Sequence, residues 1–584
     1  MGLPFSFDFL PIHPLPSQTE LHRSRLRFLL KNSTTHPRMH HPSMLGFIAT
    51  ALAGSALAVP FHDENDAHLA PLITPTAPPM GGPLSHLSIQ GGRSPSDYLI
   101  RDNYIVVFKK GTSEHHTKHK EKVHKLWKRD QQQRIQSDSY GPTDLFSGIR
   151  HHFGMLSSRS FDPSPEVDYV ERDSRVWINE QYDNPSTIPV AEKSAHSTSE
   201  PIDVEYGAPW GLARISHRHK LKFSTFNVYP FEDPAGLGVD AYVIDTGVNI
   251  EHEDLEGRAI WGKTIPDDPD QDLNGHGSHV AGTIAGRTYG VAKNATIIAV
   301  KVLGAGGSGT MSDVVAGVVW AAEAAATKAR DEAAKKDSKH KGSVANMSLG
   351  GGNSPSLDQA VNAAVDTGLH FAVAAGNDNK DACTFSPAAA KKPITVGAST
   401  IQDERAYFSN HGKCVDIFAP GLNIKSIWNT GKHSVNTISG TSMASPHIAG
   451  LAAYFLSIYP EKLDLASLGV FEDEQDEFVA ANGEAYDLGQ YLPGTLPTCF
   501  GKFKEVVGYG GATKSDDGSQ ILSTKMLKKA MIKMATSGVL SVSTHFLIRS
   551  HIRLLFSIEL TCLPLSEITR HTCNSLAYNN ATLA

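Results

Sequence analysis

Between residues 239 and 421 the chain alternates apolar strand-like segments with helical ones, and this alternation restricts the fold more than any other feature. The longest helical pattern covers 311–336. Strands that are apolar throughout and alternate with helices predict an α/β fold, in which helices cover both faces of a mostly parallel sheet. In such folds the chemistry lies at the carboxyl ends of the strands. Six segments have the composition of buried strands: VDAYVIDTG (239–247), TIIAVKVLG (296–304), GSVANMSLGGG (342–352), LHFAVAAGN (369–377), PITVGAST (393–400) and VDIFAPG (415–421).

Three segments with chemically active side chains stand where that rule applies. Asp245 ends a strand, His276 opens the stretch HGSHVAGTIAG, and Ser442 lies in SGTSMASPHIAG at the head of an apolar helix. A serine hydroxyl becomes an effective nucleophile when an imidazole accepts its proton, and the imidazole needs a carboxylate to fix its tautomer. Each segment alone has an ordinary explanation, such as a turn or an N-cap. Together, in the order Asp, His, Ser, they predict a catalytic triad.

His276 and His279 are one helical turn apart and could in principle share a zinc ion. A catalytic zinc site of this kind needs a third ligand and usually carries a glutamate between the histidines, whereas Gly277 and Ser278 stand here. We therefore predict that His276 is the base and that His279 packs near the start of the helix.

Three blocks of the sequence look like the signature blocks of subtilisin-like serine proteases: YVIDTGVNIEHEDLEGR (242–258), NGHGSHVAGTIAG (274–286) and ISGTSMASPHIAG (438–450). The sequence between them is similar to the proteinase K branch, and most closely to fungal vacuolar proteases of the cerevisin (proteinase B) type, over about 208–460. The resemblance implies Asp245 as orienting acid, His276 as general acid and base, and Ser442 as nucleophile.

The same resemblance implies the rest of the site. The Asn377 amide and the Ser442 backbone N–H would form an oxyanion hole. Two stretches would form the walls of a cleft that takes an extended peptide as an added strand, and their small side chains predict broad specificity. The wall residues are Ser348, Leu349, Gly350, Ala374, Ala375 and Gly376.

The resemblance implies no cofactor for catalysis but allows a structural calcium ion, held by the Asp416 carboxylate and the backbone carbonyls of Lys391 and Pro393. A solvated loop is the alternative there, because two lysines stand in it. Cys383 and Cys414 could form a disulfide in an oxidising compartment. Asn294 begins an Asn-Ala-Thr sequon and is a candidate glycosylation site.

The apolar stretch MLGFIATALAGSALAVP begins at Met44 and has the h-region and small-residue cleavage pattern of a secretory signal. We expect a signal peptide over 44–58, which makes 1–43 an upstream extension outside the translated protein, and a Pro-rich linker over 59–101. A weak membrane anchor is the alternative, although the apolar run is too short to span a bilayer. This predicts the secretory pathway, with the vacuole lumen favoured and the extracellular space as the alternative.

Residues 102–178 have a strand, a helix-permissive stretch and a closing strand, and they resemble the inhibitor-type propeptide of the same family. A polar, Pro-containing connection over 179–207 suits cleavage. Four histidines crowd the middle of the module, which suggests the hypothesis that acidification loosens the propeptide; a solvated face is the alternative. These histidines are His115, His116, His119 and His124.

Beyond the catalytic domain, 208–460, we expect an acidic insertion over 461–519, a terminal helix over 520–541 and an aberrant tail over 542–584. A retained intron covering about 542–573 would explain the tail, since the closing NSLAYNN again resembles the family's C-terminus. The alternative is an amphipathic, membrane-binding tail, because HFLIRSHIRLLF mixes arginine with large apolar residues.

The charge balance indicates the kind of partner. The chain has 54 Lys and Arg residues against 61 Asp and Glu, a formal charge of -7, and no long basic stripe, which argues against nucleic acid. The expected partners are peptide and protein substrates and the chain's own propeptide, with no stable membrane anchor and a monomeric enzyme. A catalytically silent, peptide-binding relative is the rival function; the complete set of catalytic residues argues against it.

Overall fold

The computed structural model describes residues 71–75, 98–109, 137–140, 148–152, 167–178, 195–199, 202–463, 465, 467–470, 522–540 and 575–576. The expected upstream extension and signal peptide, the four histidines of the 102–178 module, and 471–521 of the expected insertion lie outside these residues. Within the described residues, no helix is both long and apolar enough to cross a membrane.

The described helices are α1 (Trp210–Ile215), α2 (His276–Ala285), α3 (Met311–Ala333), α4 (Pro355–Asp366), α5 (Thr441–Ile458) and α6 (Thr524–Met534). The described strands are β1 (Leu72–Ile73), β2 (Leu99–Phe108), β3 (Ser137–Tyr140), β4 (Gly148–His152), β5 (Val167–Ile178), β6 (Ala195–Ser199), β7 (Ile202–Tyr206), β8 (Val228–Glu232), β9 (Val239–Asp245), β10 (Ala259–Thr264), β11 (Thr296–Lys301), β12 (Ser308–Thr310), β13 (Gly342–Met347), β14 (Leu349–Gly352), β15 (His370–Ala374), β16 (Phe385–Ser386), β17 (Ile394–Ser399), β18 (Ile417–Pro420), β19 (Ile424–Ile427), β20 (Val435–Ile438), β21 (Thr536–Ser537) and β22 (Ser575–Leu576).

The central sheet has the order β10-β11-β9-β13-β15-β17-β18-β22-β21 in the described part of the chain. All neighbouring strands pair in parallel, except the last pair, β22 with β21. Side chains of β9 alternate between the two faces: Ala241 and Val243 join the core under α2 and α5, while Tyr242 and Ile244 join the core under α3 and α4. The predicted α/β fold, a mostly parallel sheet covered on both faces, is thereby confirmed.

The predicted strand over 342–352 is divided at Ser348 into two strands. β13 stays in the central sheet between β9 and β15, whereas β14 leaves it and pairs antiparallel with β5. This division directs β14 away from the core toward the edge of the cleft, where its backbone groups can pair with an added strand.

The second sheet brings the N-terminal module onto the catalytic domain. β5 pairs antiparallel with β2 on one side, and its last residues pair antiparallel with β12 and with β14. The end of β5 therefore lies between two strands of the domain that follows it in the chain.

Two expected boundaries need correction. The connection over 179–207 is not wholly a linker, since β6 and β7 form an antiparallel sheet with β8, and Val204 and Glu205 are buried. Residues of 461–470, expected to start a surface insertion, cover the core with Leu463 and other apolar side chains.

In the expected tail over 542–584, residues 575 and 576 belong to the closing NSLAYNN and form β22 of the central sheet. Residues 542–573, the stretch attributed to a retained intron, lie outside the described part of the chain.

Candidate active site

Asp245 and His276 meet at the carboxyl end of the central sheet. Asp245 is the last residue of β9, and its Oδ1 lies 2.8 Å from Nδ1 of His276, the first residue of α2. Both side chains are fully buried. The same Oδ1 accepts a hydrogen bond of 2.7 Å from the Thr246 backbone N–H. The carboxylate is thus held in one orientation and faces Nδ1 of the imidazole.

Asp272 fixes the start of the helix that carries His276. Its carboxylate accepts from the backbone N–H groups of Gly275 (2.8 Å) and Ser278 (3.0 Å) and from the Ser278 hydroxyl (2.6 Å). It therefore satisfies N–H groups that the first turn of α2 leaves without helical partners. Sequence reasoning missed this residue, because Asp272 stands four positions before His276 and not at the N-cap, which is Gly275.

Gly275 lets α2 begin close to Trp428. Its φ is 109°, in the region that favours glycine, and a Cβ built there would approach Trp428 Cε2 to 2.3 Å. A side chain at this position would displace either the tryptophan or the helix start, and with it His276.

Ser442 is the second residue of α5 and is fully buried. Its hydroxyl donates to the Ser348 carbonyl oxygen at 2.9 Å, and the Ser348 hydroxyl donates to the Ser442 carbonyl oxygen at 2.8 Å. Asn346 supports this pair, since its amide donates to the Ser348 hydroxyl at 2.8 Å and accepts from Ser445 at 2.7 Å. Ser442 is therefore tied to the end of β13, next to β14.

Asn377 lies behind the same turn of α5 and is almost fully buried. Its side-chain oxygen accepts from the Thr441 backbone N–H at 3.0 Å and from the Thr441 hydroxyl at 2.8 Å. Because both partners are donors, the carbonyl end of the amide faces Thr441 and the NH₂ group forms the donor end. Thr441 was not identified from the sequence as a residue that orients this amide.

The second wall follows β15. The Asn410 amide donates to the Ala375 carbonyl oxygen at 2.8 Å, and the Gly376 N–H donates to the Thr441 hydroxyl at 3.1 Å. Gly376 has a φ of 100°, and a Cβ there would lie 2.3 Å from the Asn410 amide nitrogen. Together with Ala374 at the end of β15, these residues form a rigid, small-residue turn beside Ser442.

The cleft is occupied by the chain's own strand. Ile178 of β5 is paired with Leu349, Trp177 with Gly350, and the Ile178 N–H donates to the Gly307 carbonyl oxygen at 3.0 Å. Leu349, Gly350 and the neighbouring Ser348 are three of the predicted wall residues. The end of β5 is therefore held between β12 and β14 by main-chain pairing, beside Ser348, whose carbonyl oxygen accepts from Ser442.

His279 has no part in this arrangement of Asp245, His276 and Ser442. Its Nε2 lies 2.9 Å from the Ile424 carbonyl oxygen, and its ring meets Trp428 edge-on at 6.3 Å. Burial lowers the pKa of His279 to about 3, so the imidazole stays neutral in the folded protein.

The remaining predicted residues lie apart from the cleft. Cys383 and Cys414 are joined by a disulfide, with a Cα–Cα distance of 5.3 Å. The Asn294 amide, the candidate glycan site, donates to Asp233 at 3.2 Å and to the Pro234 carbonyl oxygen at 3.4 Å. A glycan would replace one of the hydrogens that these contacts use.

The expected calcium ligands converge, but they enclose an ammonium group. The carbonyl oxygens of Lys391 and Pro393 lie 3.2 and 2.6 Å from Nζ of Lys528, and Asp416 Oδ2 lies 2.8 Å from it. A calcium ion at the same point would meet the positive charge of Lys528 directly. The residues present therefore do not fit calcium at this position, which corrects the expectation drawn from the resemblance.

Comparison with known proteins places the fold and these residues in a family. The model of the subtilase family (Peptidase_S8) matches residues 238–472. The chain is 52% identical to "Subtilisin-like serine protease Pen c 2" of Penicillium citrinum over 419 residues, which are 67% of this chain and 85% of that protein. It is 54% identical to "Alkaline protease 2" of Aspergillus fumigatus over 62% of this chain and 73% of that protein.

A third relative is matched over a longer stretch. The chain is 48% identical to "Subtilisin-like protease 8" of Arthroderma benhamiae over 472 residues, which are 76% of this chain and 90% of that protein. With this identity over most of the relatives' length, the chain belongs to the subtilase family and is a subtilisin-like serine endopeptidase that acts on peptide and protein substrates.

Proposed function

We propose that the chain is made as a zymogen and hydrolyses peptide bonds through an acyl-enzyme on Ser442. The observation that carries this proposal is the 2.8 Å contact between the buried Asp245 carboxylate and His276 Nδ1, at the sheet edge where Ser442 lies in the first turn of α5. A buried aspartate on that nitrogen selects the tautomer whose other nitrogen can accept a proton.

In the proposed reaction, Ser442 Oγ attacks the substrate carbonyl carbon as His276 Nε2 takes the hydroxyl proton. Asp245 stabilises the imidazolium ion that forms. The oxyanion receives hydrogen bonds from the Asn377 amide and the Ser442 backbone N–H. The C–N bond then breaks, His276 gives its proton to the leaving amine, and water hydrolyses the serine ester by the same proton transfers in reverse.

We propose further that the module ending in β5 inhibits the enzyme before cleavage. The pairing of β5 with both β12 and β14 supports this, because a substrate strand would need the same backbone groups. Ile178 is paired with Leu349, and the residue before Leu349 is Ser348, which bonds Ser442. A peptide that continued this register by one residue would bring that residue opposite Ser348 and its following peptide bond to Ser442. The first cleavage is therefore expected after Asn179.

Two buried carboxylates of β5 support the inhibitory role. Glu171 Oε1 accepts from the Ser354 hydroxyl at 2.5 Å and its Oε2 from the Ser356 N–H at 2.9 Å, at the start of α4. Asp173 accepts from the Ser312 hydroxyl at 2.6 Å and from its N–H at 3.1 Å, at the start of α3. Each carboxyl group therefore adds hydrogen bonds, at the start of a helix, to the strand pairing.

The cellular setting is part of the same proposal. The expected signal peptide and the Cys383–Cys414 disulfide support passage through the secretory pathway. The small residues of the cleft walls support broad specificity in protein degradation, in the vacuole lumen or outside the cell, by a monomeric enzyme. A catalytically silent peptide-binding protein is the alternative.

Covalent labelling by a fluorophosphonate tests the proposal. We expect wild-type protein to be labelled and to release its N-terminal module, and the Ser442→Ala variant to be neither labelled nor processed. Ser457→Ala, near the other end of the same helix, where the hydroxyl accepts from the Gly236 N–H, is the matched control and should still be labelled. A folded, processed protein that takes no label would favour the silent alternative, and labelling that survives in Ser442→Ala would exclude Ser442 as the nucleophile.

A further inference from the structure

The ammonium group of Lys528 is enclosed by oxygen atoms from three different positions. Its partners are the carbonyl oxygens of Lys391 and Pro393, at 3.2 and 2.6 Å, and Asp416 Oδ2 at 2.8 Å. Asp416 is itself held, since the same oxygen accepts from the Thr395 N–H at 2.8 Å. We call these three oxygen ligands, from Lys391, Pro393 and Asp416, the cation cage.

The chemistry of the cage matches an ammonium ion. A lysine ammonium has three N–H donors, and the three oxygens supply one acceptor for each. Calcium requires six to eight oxygen ligands at about 2.3–2.6 Å. In the part of the chain that the structure describes, no group of three or more His, Cys, Asp or Glu side chains could hold a metal ion.

The same donor set recurs twice in the described part of the domain. Lys293 Nζ bonds the carbonyl oxygens of Arg287 (2.9 Å) and Gly290 (3.1 Å) and pairs with the Glu205 carboxylate at 2.7 Å. The same arrangement is thus repeated: a lysine ammonium contacts two backbone carbonyls and one carboxylate. At these places the chain supplies its own cation where loops bring carbonyl oxygens together. The third example is Lys301, with the carbonyl oxygens of Thr246 and Leu303 at 2.9 Å each and Asp268 Oδ2 at 3.4 Å.

The cage joins two distant parts of the chain. Lys528 lies on α6, which follows 471–521 in the sequence, whereas Pro393 directly precedes β17 and Asp416 directly precedes β18. The apolar side of α6 is buried in the core through Met526, Leu527 and neighbouring residues. The Lys528 contacts add an ionic attachment at the flank of the helix, where its side chain is 18% exposed.

We infer that Lys528 serves as a tethered cation that takes the place of a metal ion in this cage and attaches α6 to the central sheet. Removal of the ammonium leaves two carbonyls and a carboxylate open to solvent, which is a ligand set for a hard divalent cation. The Lys528→Ala variant should therefore acquire a calcium site that the wild-type chain does not have.

Thermal unfolding of the full chain tests this inference, in a Ser442→Ala background that prevents self-digestion. Each variant is measured in EDTA and in about 10 mM calcium chloride, which exceeds the dissociation constants of weak extracellular calcium sites. We expect Lys528→Ala to lower Tm by roughly 3–10 °C in EDTA and calcium to restore at least half of that loss. Wild type should have the same Tm in both solutions.

Three further variants separate a cation site from a general loss of packing. Lys528→Met removes the charge but fills the space, so its Tm should fall without recovery in calcium. Lys528→Ala combined with Asp416→Asn should also fail to recover, because the cage has lost its carboxylate. Lys529→Ala, which removes the same charge from the adjacent position of α6, should leave Tm independent of calcium.

Calorimetric titration with calcium chloride gives a second measurement that does not depend on unfolding. Binding by Lys528→Ala but not by Lys528→Met, at a dissociation constant of about 10⁻⁴–10⁻³ M, would support the inference. A wild-type Tm that drops in EDTA as far as that of the variants would overturn it. So would a Lys528→Ala protein whose Tm and calcium binding match those of Lys529→Ala.

Discussion

At the scale of single residues, identical side chains acquire different roles from their contacts. His276 and His279 are three positions apart on α2, and both are fully buried. His276 bonds a carboxylate, whereas His279 bonds the Ile424 carbonyl oxygen. The sequence alone does not distinguish the two histidines, but their hydrogen-bond partners differ. The partner decides which imidazole can hold an added proton.

The buried His279 should make the folded state sensitive to acid. Its folded-state pKa of about 3 lies below the ordinary value of 6.5, so the unfolded chain binds a proton on this residue at a pH where the folded chain does not. The stabilisation is fully present above pH 6.5 and is lost as pH falls toward 3. Relative to His279→Gln, wild type should lose up to about 1.4 kcal/mol of unfolding free energy per pH unit below 6.5.

Urea unfolding at several pH values, in the Ser442→Ala background, measures this difference. His219→Gln is the control, since an exposed imidazole meets the same solvent in the folded and unfolded chains. A gap between wild type and His279→Gln that stays constant or widens as pH falls would contradict the prediction.

Residue patterns in the sequence identified Asp245, His276 and Ser442 as candidates. The family resemblance added Asn377, but neither identified the residues that orient these side chains. Asp272 accepts from backbone N–H groups through a local turn that the sequence does not mark as a cap. Thr441 orients an amide that lies 64 positions away in the chain. Three-dimensional proximity of that kind has no periodic signature in one sequence.

At the scale of elements, β5 combines strand pairing with the capping of two helices. Its carboxylates alternate with Arg172 between them, so Glu171 and Asp173 lie on the same side of the strand and meet the starts of α4 and α3. Burial raises the pKa of Asp173 to about 6 and also raises that of Glu171. Because these two carboxyl groups bind protons more tightly in the complex than in the free module, a low pH favours the complex. Acid could therefore release the module only through other titratable groups.

Replacing either carboxyl group by an amide should weaken the complex between the released module and the mature enzyme. In Glu171→Gln and Asp173→Asn an NH₂ group takes the place of an oxygen that accepts from a buried donor, which corresponds to a rise in the inhibition constant of roughly 10- to 100-fold. Asp168→Asn is the matched control, because Asp168 lies exposed on the same strand. The measurement is inhibition of the mature protease by added module; equal inhibition constants for all three variants would contradict the role of the caps.

The long buried strands and the main helices were predictable because their apolar segments are longer than those of any loop. The 311–336 pattern gave α3 at Met311–Ala333, and VDAYVID gave β9. The edge strand β10 was missed, since AIWGKT is short, carries a glycine and has only three consecutive apolar residues. β7 was assigned to a linker because its polar composition hides the burial of Glu205 against Lys293.

At the scale of the whole molecule, the Cys383–Cys414 disulfide should contribute to global stability. It closes a loop of 31 residues that includes β17 and borders a small apolar cluster around Ala375 and Phe418. Replacing both cysteines by serine should lower the free energy of unfolding by roughly 2–4 kcal/mol. Urea unfolding with and without reductant measures it: reductant should destabilise wild type and leave the double variant unchanged. Insensitivity of wild type would contradict the prediction.

The order of strands in the central sheet could not be predicted from the sequence. Nothing local indicates that β9 lies between β11 and β13, because strand order follows from which crossovers the helices can make. The docking of 575–576 beside β18 was equally hidden, since two residues carry no strand pattern of their own.

The position of β22 has a consequence for the messenger RNA that encodes the chain. β21 ends at Ser537 and pairs antiparallel with β22, which begins at Ser575. If the segment 542–573 were spliced out, five residues (538–541 and 574) would connect the two strands. Five residues suit a hairpin loop, and Gly538, with φ at 75°, provides a turn conformation at its start. The shorter transcript would thus encode a continuous β-hairpin and keep every residue that the structure describes.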